Sequence, residues 1–250
     1  MPRRLRLDPR RLPADVAPRL SETIARADPA VREQIPSRTA RSAFERRWRG
    51  VILGVQPRIR MLRSFDQRSH SYLGYSLLVR GIIGDHLRDF LVGVGKAAHA
   101  KYQFQAGDTV SGLCEPVADP RLETVDFYMV SGIEIEARRA DDPPSPPPWE
   151  GLAPDLPTYR ARGHRRLSGQ TYTADCMSCI WGCHMAVEMI IDQWNPSEKQ
   201  YRTEKFCYGP KSCAAYRPGP RRVVPGRKGM KHVEEDWVDA DATSRRGDDD

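Results

Sequence analysis

The sequence predicts a mainly β fold joined to a small α+β module that is rich in cysteine and contains one helix. Three observations predict it. Short runs of valine, isoleucine, leucine and tyrosine, broken by glycine, fill residues 50–136 with the alternation of half-buried strands. A proline-rich stretch follows at 139–158, and five of the six cysteines then fall between residues 176 and 213. These shifts in composition divide the chain into successive parts.

Residues 1–47 are predicted to form a basic arm rich in proline and arginine. Six prolines in this stretch exclude a long helix, because proline lacks the backbone N–H and fixes φ. Residues 21–27 are compatible with one short helical piece, capped by Ser21. Two interpretations stay open, a disordered solubilising tail and an arm that lies along a phosphate backbone.

Residues 48–138 are predicted to form a β domain. The apolar alternation predicts strands at 51–61, 71–79 and 88–94, a short helix at 96–102, and two further strands at 109–117 and 125–136. Pro57 interrupts the first strand and favours an edge position or a bulge there. Three strands, one short helix and two more strands is the order of a five-stranded OB barrel.

A short motif adds to this order. The segment Phe104-x2-Gly107-Asp108-x-Val110-x-Gly112 is similar to the one that opens the fourth strand of OB barrels. Residues 50–138 therefore resemble an OB-fold, at the level of the superfold and with no specific family identified. The resemblance implies that single-stranded nucleic acid binds on the face of the second and third strands.

That resemblance implies roles for four residues. Tyr72 and Tyr75 would stack on bases, while Arg58 and Arg60 would contact phosphates. The alternative is that both tyrosines pack in the barrel or an interface and that the arginines form a solvated face.

Residues 139–158 are predicted to be a stiff, extended linker. Seven prolines occur in the 17 positions from Asp141 to Pro157, and proline restricts the backbone throughout such a stretch. A proline-rich docking ligand is the alternative.

Residues 159–232 are predicted to form a module that resembles a zinc ribbon. Cys176-x2-Cys179 is a spacing at which a tight turn directs two sulfurs at one ion, and Cys207-x5-Cys213 supplies a second, looser pair. Thiols crowded together in a reducing compartment usually bind metal rather than form disulfides. The sequence therefore predicts a structural zinc held by four thiolates.

Two alternatives stay open for these thiols. Cys183 follows Cys179 by four residues, so three thiols fall within eight residues, as in some iron–sulfur proteins. An iron–sulfur electron carrier or redox sensor is therefore the rival prediction, and a redox Cys-x2-Cys pair without metal is a third. Cys183 is a possible zinc ligand as well.

A helix is predicted at 183–194. Apolar residues there recur at positions i, i+4, i+7, i+8 and i+11, which are Cys183, Val187, Ile190, Ile191 and Trp194. Asn195-Pro196 is expected to end the helix. Its apolar circumference makes it a candidate docking surface for a protein partner, in a metal-stabilised assembly subunit.

Charge is segregated along the chain and suggests a polyanionic partner. The net charge is +7, but residues 158–232 alone carry 14 basic and five acidic side chains. Tyrosines are interleaved with these cations, a combination typical of nucleic-acid surfaces. The candidate contacts are Arg165, Arg166, Arg221, Arg222, Arg227 and Lys228. The alternative is that part of the basic excess compensates the thiolate charge of the metal site.

The last part of the chain, 233–250, is an acidic tail. It would either fold back on the basic surface and compete with an anionic ligand, or act as an inert solubilising tail.

The sequence favours a binding protein over an enzyme. It contains no P-loop, nucleophile elbow or His-Glu-x2-His motif. The hydrophobic fraction is 39 % and the mean hydropathy is −0.62, with no apolar run long enough to cross a bilayer. The N-terminus lacks the features of a secretory signal. We therefore expect a cytoplasmic, zinc-containing protein that binds DNA or RNA and has no membrane partner.

Overall fold

The computed structural model describes residues 45–247, which form a mainly β fold within one compact unit. Eight strands make one continuous sheet, and five of them close into a ring in the order β1–β2–β3–β5–β4–β1. The strands of the ring are β1 (Arg46–Arg63), β2 (Arg68–Ile83), β3 (His86–Val94), β4 (Thr109–Pro116) and β5 (Phe127–Ala137).

The ring closes because β1 is long enough to pair on both edges. Its first third pairs antiparallel with β4, from Arg46 opposite Cys114 to Val51 opposite Thr109. Nearly its whole length pairs antiparallel with β2, with register shifts between Ile52 and Gly54 and between Arg58 and Ile59. Such bulges increase strand twist and bending, which a closed ring of five strands requires.

The interior of the ring is the main hydrophobic core. On β2, Leu77 and Val79 are fully buried, whereas Ser76 and Arg80 are not, so alternate side chains point into and out of the ring. A short helix α1 (Lys96–Tyr102) follows β3 and places His99 against Tyr75, with ring centroids 3.9 Å apart. Each large apolar side chain buried in this way contributes about 1.5–3 kcal/mol.

The mainly β prediction is confirmed. The five strands and the one short helix expected between residues 51 and 136 are present, and β1 continues without interruption through Pro57.

The cysteine-rich part extends the same sheet. Strand β7 (Gly182–Asp192) pairs in parallel with β1, from Arg60 opposite Ala186 to Arg63 opposite Met189. It also pairs antiparallel with β8 (Asn195–Cys207), whose far edge carries the two-residue strand β6 (Arg165–Arg166). The cysteine-rich part is therefore joined to the ring through main-chain hydrogen bonds.

The predicted helix at 183–194 is wrong, because this segment is strand β7 followed by a turn. Three consecutive residues, Met185, Ala186 and Val187, are buried, since the strand is covered on both faces and paired on both edges. Such a strand has no polar alternation, so its apolar residues matched a helical period by chance. Docking of a protein partner through residues 183–194 stays a prediction, with a strand in place of the helix. Trp194 lies in the β7–β8 turn with 85 % of its surface exposed.

Short elements complete the described chain. Those before β7 are α2 (Leu156–Arg162) and α3 (Gly169–Thr171), which continues as a single π-turn at Tyr172–Cys176. Those after β8 are β9 (Val223–Pro225), a 3-10 turn at Arg227–Gly229, β10 (Lys231–Val233) and α4 (Trp237–Ala242).

Some of the sequence-based predictions concern residues that the structure does not describe. Most of the predicted arm, residues 1–44, and the last three residues of the acidic tail lie outside the described residues. The domain boundaries at 48–138, 139–158 and 159–232 stay a prediction. Between residues 45 and 247, no helix is long and apolar enough to span a membrane.

Candidate functional site

Four of the five clustered cysteines line one small cavity. Cys176 lies at the end of the π-turn, Cys179 in the turn before β7, and Cys207 at the end of β8. Together with Cys213 they border a nearly filled cavity of about 10 Å³, beside Trp149 and Trp181 among others. Cys183 is separate, because it is fully buried in the core of the ring and its Sγ donates to the carbonyl of Pro57 at 3.4 Å.

The environment of these thiols favours their neutral form. Burial raises the pKa of Cys176 to about 12, with a further contribution from the neighbouring thiols. Burial also raises the pKa of Cys179 to about 11, although backbone N–H groups nearby oppose the shift. Both thiols are therefore protonated at neutral pH in this structure.

The prediction of a zinc-binding, metal-binding protein is corrected. Among residues 45–247 no group of three or more histidine, cysteine, aspartate or glutamate side chains could hold a metal ion. The four thiols line one cavity, as their spacing in the sequence suggested. Spacing does not determine the directions of the side chains, and metal binding requires those directions to converge on one ion. An iron–sulfur cluster needs the same thiols, so the same finding gives it no support.

A single polar side chain of the ring holds the cysteine-bearing turn in place. Gln56 on β1 is 6 % exposed, and its Nε2 donates to the carbonyls of Cys176 at 2.7 Å and Cys179 at 3.1 Å. Its Oε1 accepts a hydrogen bond from the Tyr172 hydroxyl at 2.8 Å. The backbone also approaches closely at Gly54, where a Cβ would lie 2.7 Å from the Met177 carbonyl oxygen.

Beside the contacts that Gln56 and Gly54 make with the cysteine-bearing turn, a cleft remains between the outer face of the ring and the cysteine-rich part. The cleft has a volume of about 80 Å³, so it is smaller than a site for a drug-sized ligand. Its floor is the outward face of β1, β2 and β3, and its wall includes Tyr172, Met177 and His184. The residues lining the cleft are Gly54, Gln56, Pro57, Ser76, Leu78, Leu91, Thr124, Tyr172, Met177 and His184.

A second, more open recess continues from the cleft. It shares Leu78 and Met177 with the cleft, has a volume of about 430 Å³, and includes the ion pair of Arg80 with Asp89 at 2.8 Å. The cleft and the recess together form a groove across the outer face of β1–β3, and we use "groove" for this combined surface.

The electrostatics of the cleft come from His184 and Lys205, which are opposite each other on β7 and β8. Burial, and then the charge of Lys205, lowers the pKa of His184 to about 4, so its imidazole is neutral at pH 7. The rings of Tyr172 and His184 lie 5.9 Å apart, and Lys205 Nζ is 5.7 Å from the centre of the Tyr172 ring. Lys205 forms no ion pair within the described part of the chain.

The four residues assigned by the OB-fold resemblance are already engaged in other contacts. Tyr75 is 2 % exposed, with its ring against His99 and its hydroxyl donating to the Pro154 carbonyl at 2.8 Å. Tyr72 is half-buried beneath the guanidinium of Arg160, 4.8 Å from its ring centre. The remaining two, Arg58 and Arg60, both pair with Glu123, at 3.1 and 3.2 Å.

The predicted basic surface is also largely engaged. Arg165 lies over the ring of Tyr216 at 3.8 Å and donates to the carbonyl of Pro210. Arg222 is buried against Glu204, with nitrogen and oxygen 2.6 Å apart. Arg227 lies 3.7 Å from Asp192, and its neighbour Lys228 is exposed.

The acidic segment that follows β10 forms ion pairs with Arg166 and Arg221, two further arginines of the predicted basic surface. Arg166 is 2 % exposed and pairs with Asp236 at 2.6 Å and Asp239 at 2.9 Å. Arg221 pairs with Asp236 at 2.8 Å, and Glu234 pairs with Arg63 at 2.7 Å. This part of the predicted tail therefore folds back on basic side chains, which was one of the two interpretations left open.

Sequence reasoning did not single out the residues of the cleft. Gln56, Ser76, Thr124, Tyr172, His184 and Lys205 are distant in sequence and match no spacing motif. One signal was present in the first predicted strand, 51–61, because a glycine within an apolar strand marks a close approach of other backbone.

Comparison of the chain with protein-family models, with curated proteins and with solved structures finds no match.

Proposed function

We propose that this protein binds single-stranded nucleic acid in the groove on the outer face of β1, β2 and β3, and that the five-strand ring serves as an OB-like barrel. The order of strands and the position of α1 between β3 and β4 support the OB-like interpretation. OB-folds bind oligonucleotides on the outer face of their second and third strands, which is where this groove lies.

The observation that carries the proposal is the composition of the groove. It combines aromatic and apolar surface, at Tyr172, Met177 and Leu78, with hydroxyl groups at Ser76 and Thr124. A cation, Lys205, stands beside the cleft without a carboxylate partner among residues 45–247. Unpaired bases need apolar and aromatic contacts, and phosphates need cations, so both requirements of a single strand are met close together.

The basic residues of the cysteine-rich part have a smaller role in this proposal than the sequence suggested. Arg166, Arg221 and Arg222 are neutralised by carboxylates, and neutralised arginines add little to the attraction of a polyanion.

The proposal is tested by fluorescence anisotropy with short labelled oligonucleotides of DNA and RNA, single-stranded and duplex, over a range of low salt concentrations. We expect single strands to bind and the Lys205→Gln variant to bind more weakly, with the slope of log affinity against log salt reduced by about one. The matched control is Lys96→Gln, which removes an exposed lysine on α1 that does not line the groove. Undetectable binding of any single strand at low salt, or equal effects of the two substitutions, would overturn the proposal.

A further inference from the structure

The cleft differs from the rest of the groove in being narrower and walled on two sides. Its floor is formed by Ser76, Leu78 and Leu91, while Tyr172 and His184 stand on the opposite side. A planar group that enters between these surfaces is covered on both faces. An extended backbone would instead fit the more open recess beside Arg80.

The polar groups around the cleft are suited to a neutral ligand with hydrogen-bonding edges. The Thr124 hydroxyl donates to the His184 carbonyl at 3.1 Å and retains its capacity to accept a hydrogen bond. The Ser76 hydroxyl makes no hydrogen bond to the described residues. The described residues that line the cleft include no carboxylate that would repel a neighbouring phosphate.

Among residues 45–247, one cation without an ion-pair partner lies next to the cleft and can meet such a phosphate. Lys205 lies beside His184 across the β7–β8 pair and extends over the ring of Tyr172. A ligand with its planar part in the cleft and a negative charge at the rim next to Lys205 satisfies both features at once.

From this geometry we infer that the cleft is a single-nucleotide subsite, in which one unpaired base inserts between the Tyr172–His184 wall and the floor of β2 and β3, and its phosphate contacts Lys205. This inference rests on the proposed function and names the part of the groove that recognises a base. The rest of the strand follows the open recess, where Arg80 is paired with Asp89 and Asp175 also lines the surface, so most of the affinity comes from the cleft and Lys205.

The test uses nucleoside monophosphates and a labelled oligothymidylate as separate probes of the full-length chain. Ser76→Phe fills the cleft from its floor, and Ser69→Phe is the matched control, because Ser69 is exposed on the same strand outside the groove. We expect Ser76→Phe to abolish mononucleotide binding and to weaken oligonucleotide binding about tenfold or more, as the loss of one stacked base does. His184→Ala, which removes a wall instead of filling the space, is expected to weaken both as well. Ser69→Phe is expected to leave both unchanged.

A second readout locates the base directly. An oligonucleotide carrying one photoreactive 5-iodouracil should crosslink to Tyr172, Met177 or His184, as identified by mass spectrometry after digestion. Crosslinks confined to residues outside the cleft would overturn the inference.

The outcomes separate the two proposals. If oligonucleotides bind equally well to wild type, Ser76→Phe and His184→Ala, the subsite is overturned and the proposed function stands. If oligonucleotides do not bind but mononucleotides bind and are lost in Ser76→Phe, the proposed function is overturned and the cleft stands as a nucleotide site. If neither probe binds, both are overturned.

Discussion

The side-chain amide of Gln56 donates a hydrogen bond to the main-chain carbonyl of Cys176 at 2.7 Å, across 120 positions of sequence. The same nitrogen lies 3.1 Å from the Cys179 carbonyl, and the amide oxygen accepts from Tyr172. One polar residue in the middle of β1 therefore holds the wall of the cleft against its floor. The shape of the candidate site depends on this residue more than on any of the cations.

Replacing Gln56 with leucine is expected to reduce the free energy of unfolding by about 1–3 kcal/mol. The carbonyls of Cys176 and Cys179 lose one donor and keep only their backbone donors, while the buried hydroxyl of Tyr172 loses its acceptor. Denaturant unfolding measures the change. Gln67→Leu is the control, since Gln67 is exposed in the β1–β2 turn, and surface substitutions usually change stability by less than about 0.5 kcal/mol. Equal effects of the two substitutions would show that the buried hydrogen bonds contribute nothing.

Gly54→Ala is expected to destabilise the protein by about 1–3 kcal/mol, the usual cost of overpacking. The added Cβ would lie 2.7 Å from both the Met177 carbonyl oxygen and the Ser178 Cα, which are backbone atoms that cannot rotate away. Gly151→Ala is the matched control, because a Cβ there meets nothing within 4 Å. Thermal unfolding of both variants tests the prediction, which is contradicted if Gly54→Ala is as stable as Gly151→Ala.

Asp236 is expected to make stability depend on pH in the acid range. Hydrogen bonds from Arg221 and then Arg166 lower the pKa of Asp236 from 3.8 to about 2. The unfolded chain therefore takes up this proton first, so the stabilisation is present above about pH 4 and is lost as the pH falls towards 2. Asp236→Asn should reduce the loss of stability between pH 4 and pH 2 in urea titrations. Asp241→Asn, on the same short helix, should leave it as in the wild type. The opposite ranking of the two variants would be inconsistent with this account.

Two half-buried histidines are expected to destabilise the fold as the pH falls from about 6.5 to about 4. Burial lowers the pKa of His70 to about 4, with help from the charges of Arg68 and Arg63, and lowers that of His184 to about 4 as well. The unfolded state binds these protons at higher pH than the native state, so acidification in this window favours unfolding. His184→Gln should reduce the difference in urea midpoint between pH 7.5 and pH 5, whereas His86→Gln, at an exposed position, should not. No difference between the two variants would show that His184 does not contribute to this loss.

Strands of the ring such as β2 were predictable because one face is more deeply buried than the other. On β2, buried Leu77 and Val79 alternate with half-buried or exposed Ser76 and Arg80, and this alternation is visible in the sequence without knowledge of the neighbours. Strand β7 was not predictable for the opposite reason. Residues of β7 are covered on both faces by parts of the chain that are distant in sequence, so its apolar pattern carries no period of its own.

The cysteines show the limit of spacing arguments. Spacing correctly grouped Cys176, Cys179, Cys207 and Cys213 around one cavity, but it suggested a metal centre where none of the described side chains is arranged to hold an ion. It also placed Cys183 near this group, although in the strand conformation the side chain of Cys183 turns into the core of the ring.

Local alternation and short spacings were enough to predict the mainly β class, the five strands of the ring and the grouping of four thiols. Long-range contacts settled the rest: β7 extends the sheet of the ring, Gln56 contacts the cysteine-bearing turn, and carboxylates of residues 234–239 pair with Arg63, Arg166 and Arg221. Such contacts join residues far apart in sequence, and their energies depend on which partner arrives, so no pattern within one segment reveals them.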